Sequence, residues 1–429
     1  YAGAGTIITN NGTIDVSGNN AKALVALDAT NESHTVSGAV TVNSASDYTI
    51  YSSSSSYTLP TLVNAGIIKT SGVLALDGIQ VMIKTDLSTL ADNGDGTFTL
   101  SGTSLIADTV STDSAITILA GFSDGTIANV YKLEGVIQAS SGGTYDFISG
   151  SLLWEATPQV TADGVDVYME RIPFTTFTDG LWFEDFGQAL EDNYLSAEGD
   201  AVTIYNKTAY IETEESFRHI IASLAGNVYA NINQREKDIA NVFEDSLHLL
   251  QNSDNNTKEN VKIAIVAGKG KNKEETDGVV GYDYTATGAI ALREVERTYR
   301  HTFGYSLGYL HTGFEFDDGN GSEEWVDTIQ LGVHSKYAVH GWQLRNDLTG
   351  RASIHNVDRN INWGDELGRS EMNGTYETYS ITSDNILGKE FGLGKKASIM
   401  PYGAFKAMYV TRPSFEESGL ERLQVEGND

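Results

Sequence analysis

Three patterns of apolar and polar positions follow one another along this chain, and each predicts a different element. In the first, short alternating runs are broken by Asn-Gly and Ser-Gly pairs. Thr9-Asn10-Asn11-Gly12-Thr13-Ile14-Asp15-Val16-Ser17-Gly18 is echoed by Val63-Asn64-Ala65-Gly66-Ile67-Ile68-Lys69-Thr70-Ser71-Gly72, with Asn, Gly, Ile, Ser and Gly at matching places. Such runs predict rungs of a parallel β-helix, in which each Ile/Val row packs on the next. Asn or Gly at the corners takes backbone angles that other residues resist. Two partial copies also suit an irregular β-sandwich. From about residue 82 the pattern changes, with strand-like segments at Tyr145-Asp146-Phe147-Ile148, Ser151-Leu152-Leu153-Trp154 and Val165-Asp166-Val167-Tyr168-Met169. Residues 173–213, rich in aromatics and acids, read as a connector of mixed structure.

The second pattern fills residues 214–251. Phe217, Ile220, Ile221, Leu224, Val228 and Ile232 fall three or four apart, and Ile239, Val242, Phe243, Leu247 and Leu250 resume the stripe. This spacing predicts the chain's one long helix. Gly226 interrupts it and can divide a short outer helix from a longer one. The stripe does not hold strict heptads, which argues against a dimerising coiled coil.

The third pattern is long, clean alternation. In Phe303-Gly304-Tyr305-Ser306-Leu307-Gly308-Tyr309 the odd positions are large and apolar, and Thr328-Ile329-Gln330-Leu331-Gly332-Val333-His334 repeats the theme. Strands are predicted near 261–271, 279–293, 299–316, 325–336, 339–356, 375–387 and 397–411. These exceed the ~5–6 residues usual in globular sheets and match the ~9–11 that cross a bilayer at a tilt. Tyr299, Trp325 and Tyr337 near strand ends suit a membrane–water interface. Long polar connections alternate with short turns, as in outer-membrane barrels with long loops outside, although the turn at residues 388–396 is intermediate and blurs the rule. On this reading the first strand runs from periplasm to exterior. The expected architecture is mainly β: a parallel β-helix-like front, one long helix, and an antiparallel outer-membrane β-barrel, incomplete at the C-terminus because these strands are too few and an open edge cannot sit in lipid.

Composition narrows the picture. The formal charge is −30, and its distribution is uneven: residues 1–257 hold 9 Lys+Arg against 32 Asp+Glu (−23), and residues 258–429 hold 19 against 26 (−7). An acidic front argues against nucleic acid as a partner. There is no Cys, which excludes disulfides, thiolate nucleophiles and Cys-ligated metals. In a chain threaded unfolded through a narrow pore, it also removes the hazard of an early disulfide. No run approaches the ~18 apolar residues of a membrane helix.

Motif chemistry is sparse. The eight His residues show no HExxH and no ligand spacing, and no GxSxG, Walker A or GxGxxG stands in a strand–turn–helix context. The reading therefore names no catalytic residue, metal or cofactor. Asp92-Asn93-Gly94-Asp95-Gly96 lacks the downstream Glu of an EF-hand and reads as a hairpin turn. The run Ser52 to Ser56 reads as a loop. On the strand faces expected to line a pore stand Arg293, Lys336, Arg345, Asp347 and Arg351. On the helix face expected toward the lumen stand Glu236, Asp238, Glu244 and Asp245. The expectation is that the basic wall residues hold these helix acids.

A β domain, one long helix and then antiparallel membrane strands resembles the monomeric type V autotransporters from end to end. The closest likeness lies over residues 214–411. Ser223-Leu224-Ala225-Gly226-Asn227-Val228-Tyr229 followed by GVVGYDYTATGAIALREVER (residues 278–297) is similar to that family's linker helix and early barrel strands. The resemblance implies a barrel of about twelve strands in the outer membrane, a helix inside its pore, and an N-terminal passenger carried to the cell surface. It implies residues 1–83 as the β-helix-like passenger end, 84–213 as an autochaperone or junction region, 214–251 as the pore linker, and 258–429 as part of the translocator. It further implies outer-membrane lipid, the barrel-assembly machinery and periplasmic chaperones as partners, with a host or cell-surface ligand for an adhesive passenger. An enzyme-bearing passenger (protease or esterase) and a plain outer-membrane channel are the alternatives. Some members cut themselves at an Asn within the pore; Asn227, Asn231, Asn233, Asn255 and Asn256 are available, and no motif marks any of them.

Overall fold

The computed structural model describes the chain except residues 1–6, 11–13, 18–32, 37–38, 44–47, 50–60, 71–72, 78–79, 86, 120–125, 142, 254–257, 274–278, 365–366, 393–396 and 429. The run Ser52 to Ser56, and Asn255 and Asn256, lie outside the described residues. The chain divides into two compact units, residues 1–218 and 219–429.

The first unit is built on parallel pairing. One sheet stacks Ile7–Asn10, Ser33–Val36, Thr61–Asn64, Gln80–Lys84, Ile116–Leu119 and Phe147–Ser149 in that order. A second stacks Ile14–Ser17, Ala39–Asn43, Ile67–Thr70, Ser104–Ala107 and Val130–Ala139. A third joins Tyr48–Thr49, Val73–Ala75 and Thr109–Ser111. The ladders put like on like: Ile68 pairs with Leu105 and Leu105 with Ile137, all buried. Asn64 turns a corner, its Oδ1 accepting from the Gly66 N–H and its Nδ2 donating to the Ser104 carbonyl. These parallel ladders stack rung on rung, and the stacking runs on past residue 83 to Ser149. An antiparallel hairpin, Trp154–Val160 with Gly164–Arg171, covers the last long strand. The acidic Gly turn is a hairpin turn: Asp92 and Asp95 accept from the backbone N–H of Gly94 and Thr97.

Helices at Glu184–Asn193 and Asp200–Thr208 follow, packed through Phe174, Tyr194, Tyr205 and Phe217. Arg171 holds this group together. It pairs with Glu191, donates from Nε to Asn129, and lies 4.0 Å over the Tyr194 ring. The Arg171 hydrogen bonds hold the Glu191 carboxyl below its ordinary pKa, and burial pushes Tyr194 and Tyr205 up to about 12.

The helical stretch is divided at Gly226, as its sequence allows, into a short helix that begins at the end of the first unit and a long one within the second. Helix α1 (Glu214–Leu224) ends at Gly226, whose φ of 81° is left-handed, and after a short 3-10 turn α2 (Ile232–Asn252) begins. Seven antiparallel strands then pair in chain order: β1 (Glu259–Asn272), β2 (Tyr282–Thr298), β3 (His301–Phe316), β4 (Glu323–Val339), β5 (Trp342–Asn362), β6 (Arg369–Lys389) and β7 (Tyr402–Thr411). Among the described residues no pairing joins β1 to β7. The turns at 299–300 and 340–341 are short, so the strands extend beyond their expected ends.

Candidate functional site

Alternation gives the sheet two faces. On the outer face one register row runs Ile263, Ala291, Leu307, Leu331, Gly350, Ile381, Tyr409, and the next Ile265, Ala289, Tyr309, Ile329, Ala352, Tyr379, Thr411. Ile263, Ile265, Leu307 and Leu331 are more than half exposed. Rows of this kind form an apolar belt suited to lipid. The inner face of β1–β3 cradles α2. The helix starts beside Val280, whose carbonyl accepts from Asn231, at the end of the sheet that carries connections 273–281, 317–322 and 363–368. It ends at Lys262, whose Nζ donates to the carbonyls of Leu250 and Ser253 and pairs with Glu294. A lysine at a helix C-terminus satisfies orphan carbonyls and complements the dipole.

One side of the seat works by shape. Ile239, Val242, Phe243, Leu247 and Leu250 of α2 pack with Val266, Tyr282, Ala286, Ile290, Leu292, Leu310 and Phe314. Glycines make the room: a Cβ at Gly308 would lie 2.7 Å from Cε1 of Phe243, and one at Gly268 would lie 2.8 Å from Cγ2 of Val242.

The other side works by charge. Arg235 Nε lies 2.5 Å from Glu324 Oε2, and its Nη1 donates to the Val228 carbonyl. His355 puts Nδ1 2.7 Å from Glu324 and Nε2 3.0 Å from Glu236. Tyr376 donates to Glu324 and Thr378 to Glu236. The Arg235, Glu236, Glu324 and His355 side chains are wholly inaccessible. With both ring nitrogens aimed at carboxylates, a doubly protonated His355 matches both and makes the cluster neutral, two cations against two anions. Burying such a set is tolerable only because every charge is paired.

A third cluster lies at the end with the short turns. His334 bridges Ser306 Oγ (2.8 Å) and Asp347 Oδ1 (2.9 Å), and Gln251 of α2 donates to the same Asp347 oxygen. The order Ser306–His334–Asp347 is that of an acyl-transfer triad, one that the sequence spacing did not reveal. Its surroundings do not serve that chemistry. Ser306 is 5 % exposed, and the cavity shared by Gln251, His334, Lys336 and Arg345 measures about 10 Å³, room for one water and not for an acyl group. Beside it, His248, Asp347 and Asp384 bring ligand-type atoms within 4.8 Å of one another. Arg345 stands among them, its Nη2 2.7 Å from His248 Nε2 and 3.7 Å from Asp384, its Nε 3.1 Å from Asp347. The guanidinium supplies the positive charge that a metal would bring, so the residues do not fit a cation.

Several expected positions need correction. Arg293 is not on the inner face: it is exposed on the outer face of β2 and pairs with Glu259. The reason is that β2 lies under the helix, so its apolar side (Tyr282, Ala286, Ile290, Leu292) turns inward and its polar side outward. Arg351 is inward and buried, yet it donates to Gln330, Thr349, Ser380 and Thr382 of the wall and to no helix acid. Arg345 reaches the helix through His248. Of the helix acids, Glu236 is held by His355 and Thr378, Asp238 accepts from Tyr282 and Gln234, and Glu244 pairs with Lys406. Asp245 is exposed. Lys336 faces the small cavity. The residues that fasten the helix, Arg235, Glu324, His355 and Lys262, carried one signal in the sequence. Charged residues interrupt an otherwise apolar helical stripe and an alternating strand.

Residues 261–429 match the family model described as the autotransporter beta-domain, and residues 93–173 match one described as the BigA beta sandwich domain. No curated protein matches the chain. Among solved structures the chain is similar to the translocator domain of autotransporter NalP from Neisseria meningitidis. That likeness has 14 % identity and a TM-score of 0.40, over 47 % of this chain and 68 % of that one. Residues 261–429 are thus an autotransporter β-domain, which supports a type V autotransporter at the outer membrane with its passenger exported to the cell surface.

Proposed function

We propose that residues 1–213 are the membrane-proximal end of an adhesive passenger, with residues 84–213 aiding its folding outside, and that α2 is the linker left in the pore after export. The observation that carries this reading is the polarity of α2. Its N-terminus lies at the end of the sheet joined by connections 273–281, 317–322 and 363–368, and its C-terminus at the end with the two tight turns 299–300 and 340–341 and the longer connection 390–401. Tight turns belong to the periplasmic end, so the chain before the helix leaves toward the cell exterior. The front unit, an acidic stack of short parallel strands, offers the extended repetitive surface that suits binding. The barrel-assembly machinery and periplasmic chaperones are the partners that this reading requires. The test uses intact cells expressing the full-length protein with an epitope in the hairpin turn at Asn93–Gly96. Surface labelling of the epitope and its loss on protease shaving are expected. Labelling only after the outer membrane is breached would refute the export direction, and adherence unchanged by shaving would refute the adhesive role.

A further inference from the structure

Above Tyr379, β6 continues without β7 beside it, because the chain leaves the strand line at Arg412 and turns inward. Phe415–Glu416 and Gln424–Val425 form a small hairpin, and Ser418 exchanges both backbone hydrogen bonds with Asn373. Nothing in the belt, the helix seat or the charge cluster accounts for what this segment carries. Glu417 is 3 % exposed, and its carboxylate is filled on every side. Arg359 Nε donates to it at 2.8 Å and Nη2 at 2.5 Å, Tyr229 Oη at 2.6 Å, and the Leu423 N–H at 2.8 Å.

Arg359 is wholly buried and spends two further donors on the Ser223 carbonyl at the end of α1 and on the Glu421 carbonyl. One guanidinium therefore ties the wall strand β5, the inturned segment and the linker just before its hinge. Apolar contacts close the same point. Phe415 stacks on Tyr376 at 4.6 Å and meets Tyr229 edge-on at 5.2 Å. A Cβ at Gly226 would lie 2.9 Å from Leu423 Cδ1, and one at Gly374 would lie 3.2 Å from Tyr229 Oη.

We propose that residues 413–428 are a latch that closes the outer mouth on the Gly226 hinge, with Arg359 and Glu417 as its positioning residues, so that the linker is fixed where it leaves the sheet. The proposal rests on the reading that α2 remains in the pore after export. It follows from order: Tyr229, Ser223 and Gly226 complete the site, and they belong to the linker, so the latch can close only once the linker has reached its seat. A buried carboxylate and guanidinium whose bonds join three segments, β5, the linker and the inturned stretch, give an all-or-none closure.

The chain has no Cys, so Val228→Cys at the buried hinge serves as a reporter in intact cells carrying the full-length protein. A membrane-impermeant maleimide is the probe, and surface display of residues 1–213 is followed in parallel. In the otherwise unaltered protein, labelling is slow. With Glu417→Ala it accelerates at least about tenfold, Glu417→Gln falls between, and display of the passenger and heat-modifiable migration of the barrel stay unchanged. A merely structural residue would move the last two. Labelling unmoved by Glu417→Ala in a displayed, heat-modifiable protein overturns the latch. If Glu417→Ala prevents assembly, Arg359→Met with residues 414–427 replaced by a Gly-Ser loop decides, and slow labelling there also overturns it. A parent protein that fails to display residues 1–213 sinks the export reading and the latch with it.

Discussion

If α2 is held by shape, filling its notch must loosen it, and emptying the helix side must relieve the filled notch. Phe243 is fully buried, and Gly308 is the residue that admits its ring. Phe243→Ala removes a buried aromatic, a change that costs about 3–5 kcal/mol in close-packed interiors. At 1.4 kcal/mol per decade this weakens seating by roughly 10²- to 4 × 10³-fold. Gly308→Val acts from the wall. Its Cβ would stand 2.7 Å from Phe243 Cε1 and 3.4 Å from Ile290 Cγ1, so the ring must leave its place, at about 1–3 kcal/mol for an overpacked core.

The pair is informative in combination. In Phe243→Ala/Gly308→Val the valine occupies space that the ring vacated, so the double change costs less than the sum by about 1–3 kcal/mol. Gly313→Val is the control: that position faces outward, and its nearest neighbour across the face is Trp325 at 3.8 Å. The assay is single-channel conductance of the full-length protein in planar bilayers, scored as time spent open against urea concentration. Each single variant opens more often than the parent, Gly313→Val does not, and the double opens less than additivity predicts. Additive openings, or a Gly308→Val protein as closed as the parent, refute the idea that glycine shape seats the helix.

Other outcomes follow from the same geometry. Glu324→Ala leaves Arg235 and His355 buried beside a missing partner and costs about 3–5 kcal/mol, read as a lower urea midpoint of the assembled barrel, whereas Arg235→Met with Glu324→Leu costs much less. Leu331→Arg puts a charge in the outer belt and destabilises the assembled form by about 2–4 kcal/mol if that row lies at mid-bilayer, measured by reversible unfolding in lipid vesicles; a Leu331→Arg protein as stable as the parent would contradict the face assignment. The front unit has its own pH dependence. The Glu191 carboxyl is held low by Arg171, so its stabilisation is present above the unfolded carboxyl pKa and is lost as the pH falls through its folded value. Tyr194 and Tyr205 are raised to about 12 by burial, so their part is present below the ordinary tyrosine value and is lost as the pH rises toward about 12. Both losses are followed by fluorescence of the isolated conformational transition, and Glu191→Gln abolishes the acid limb alone.

What the sequence disclosed, and what it hid, follows from how local each cause is. Alternation and helical spacing are local, so seven strands, the helical stretch and the break at Gly226 are all legible. Facing is not local. A strand with one apolar side says only that this side meets something apolar, and lipid and a buried helix satisfy it equally. β2 meets the helix, so its apolar side turns inward and Arg293 faces out, whereas on β3 and β4 the apolar side, with Leu307 and Leu331, faces outward. Partner choice is less local still. Arg351 has the charge to hold Glu236, but the register sets it among Ser380, Thr382 and Gln330, and the task falls to His355. In the front unit, two echoing stretches disclosed the rungs but not their extent, because Ile116–Leu119 and Phe147–Ser149 join the stack with no repeated motif.

The division of the seat into a shaped side and a charged side has a reason in the helix's own periodicity. Ile239, Phe243 and Leu247 stand four apart, so sliding α2 by one turn, about 5.4 Å, would set Ile239 near the place of Phe243 and Phe243 near that of Leu247. An apolar stripe on an apolar wall resists such a slip only weakly, since each position still meets a hydrophobe. Charges break that degeneracy. One turn of slip takes Arg235 away from Glu324 and Glu236 away from His355, stranding four buried ionic groups at several kcal/mol each. Lys262 would lose the carbonyls of Leu250 and Ser253 at the other end in the same movement. The buried ions therefore set the height of the helix more than they strengthen its hold, and the glycine notch at Gly308 sets its rotation. Replacing the whole cluster by hydrophobes of equal volume should leave a helix that stays in the sheet but samples more than one level. Distances from a spin label on α2 to one on β5 would then broaden or split, and a single sharp distance in that variant would show that the apolar stripe alone fixes the register.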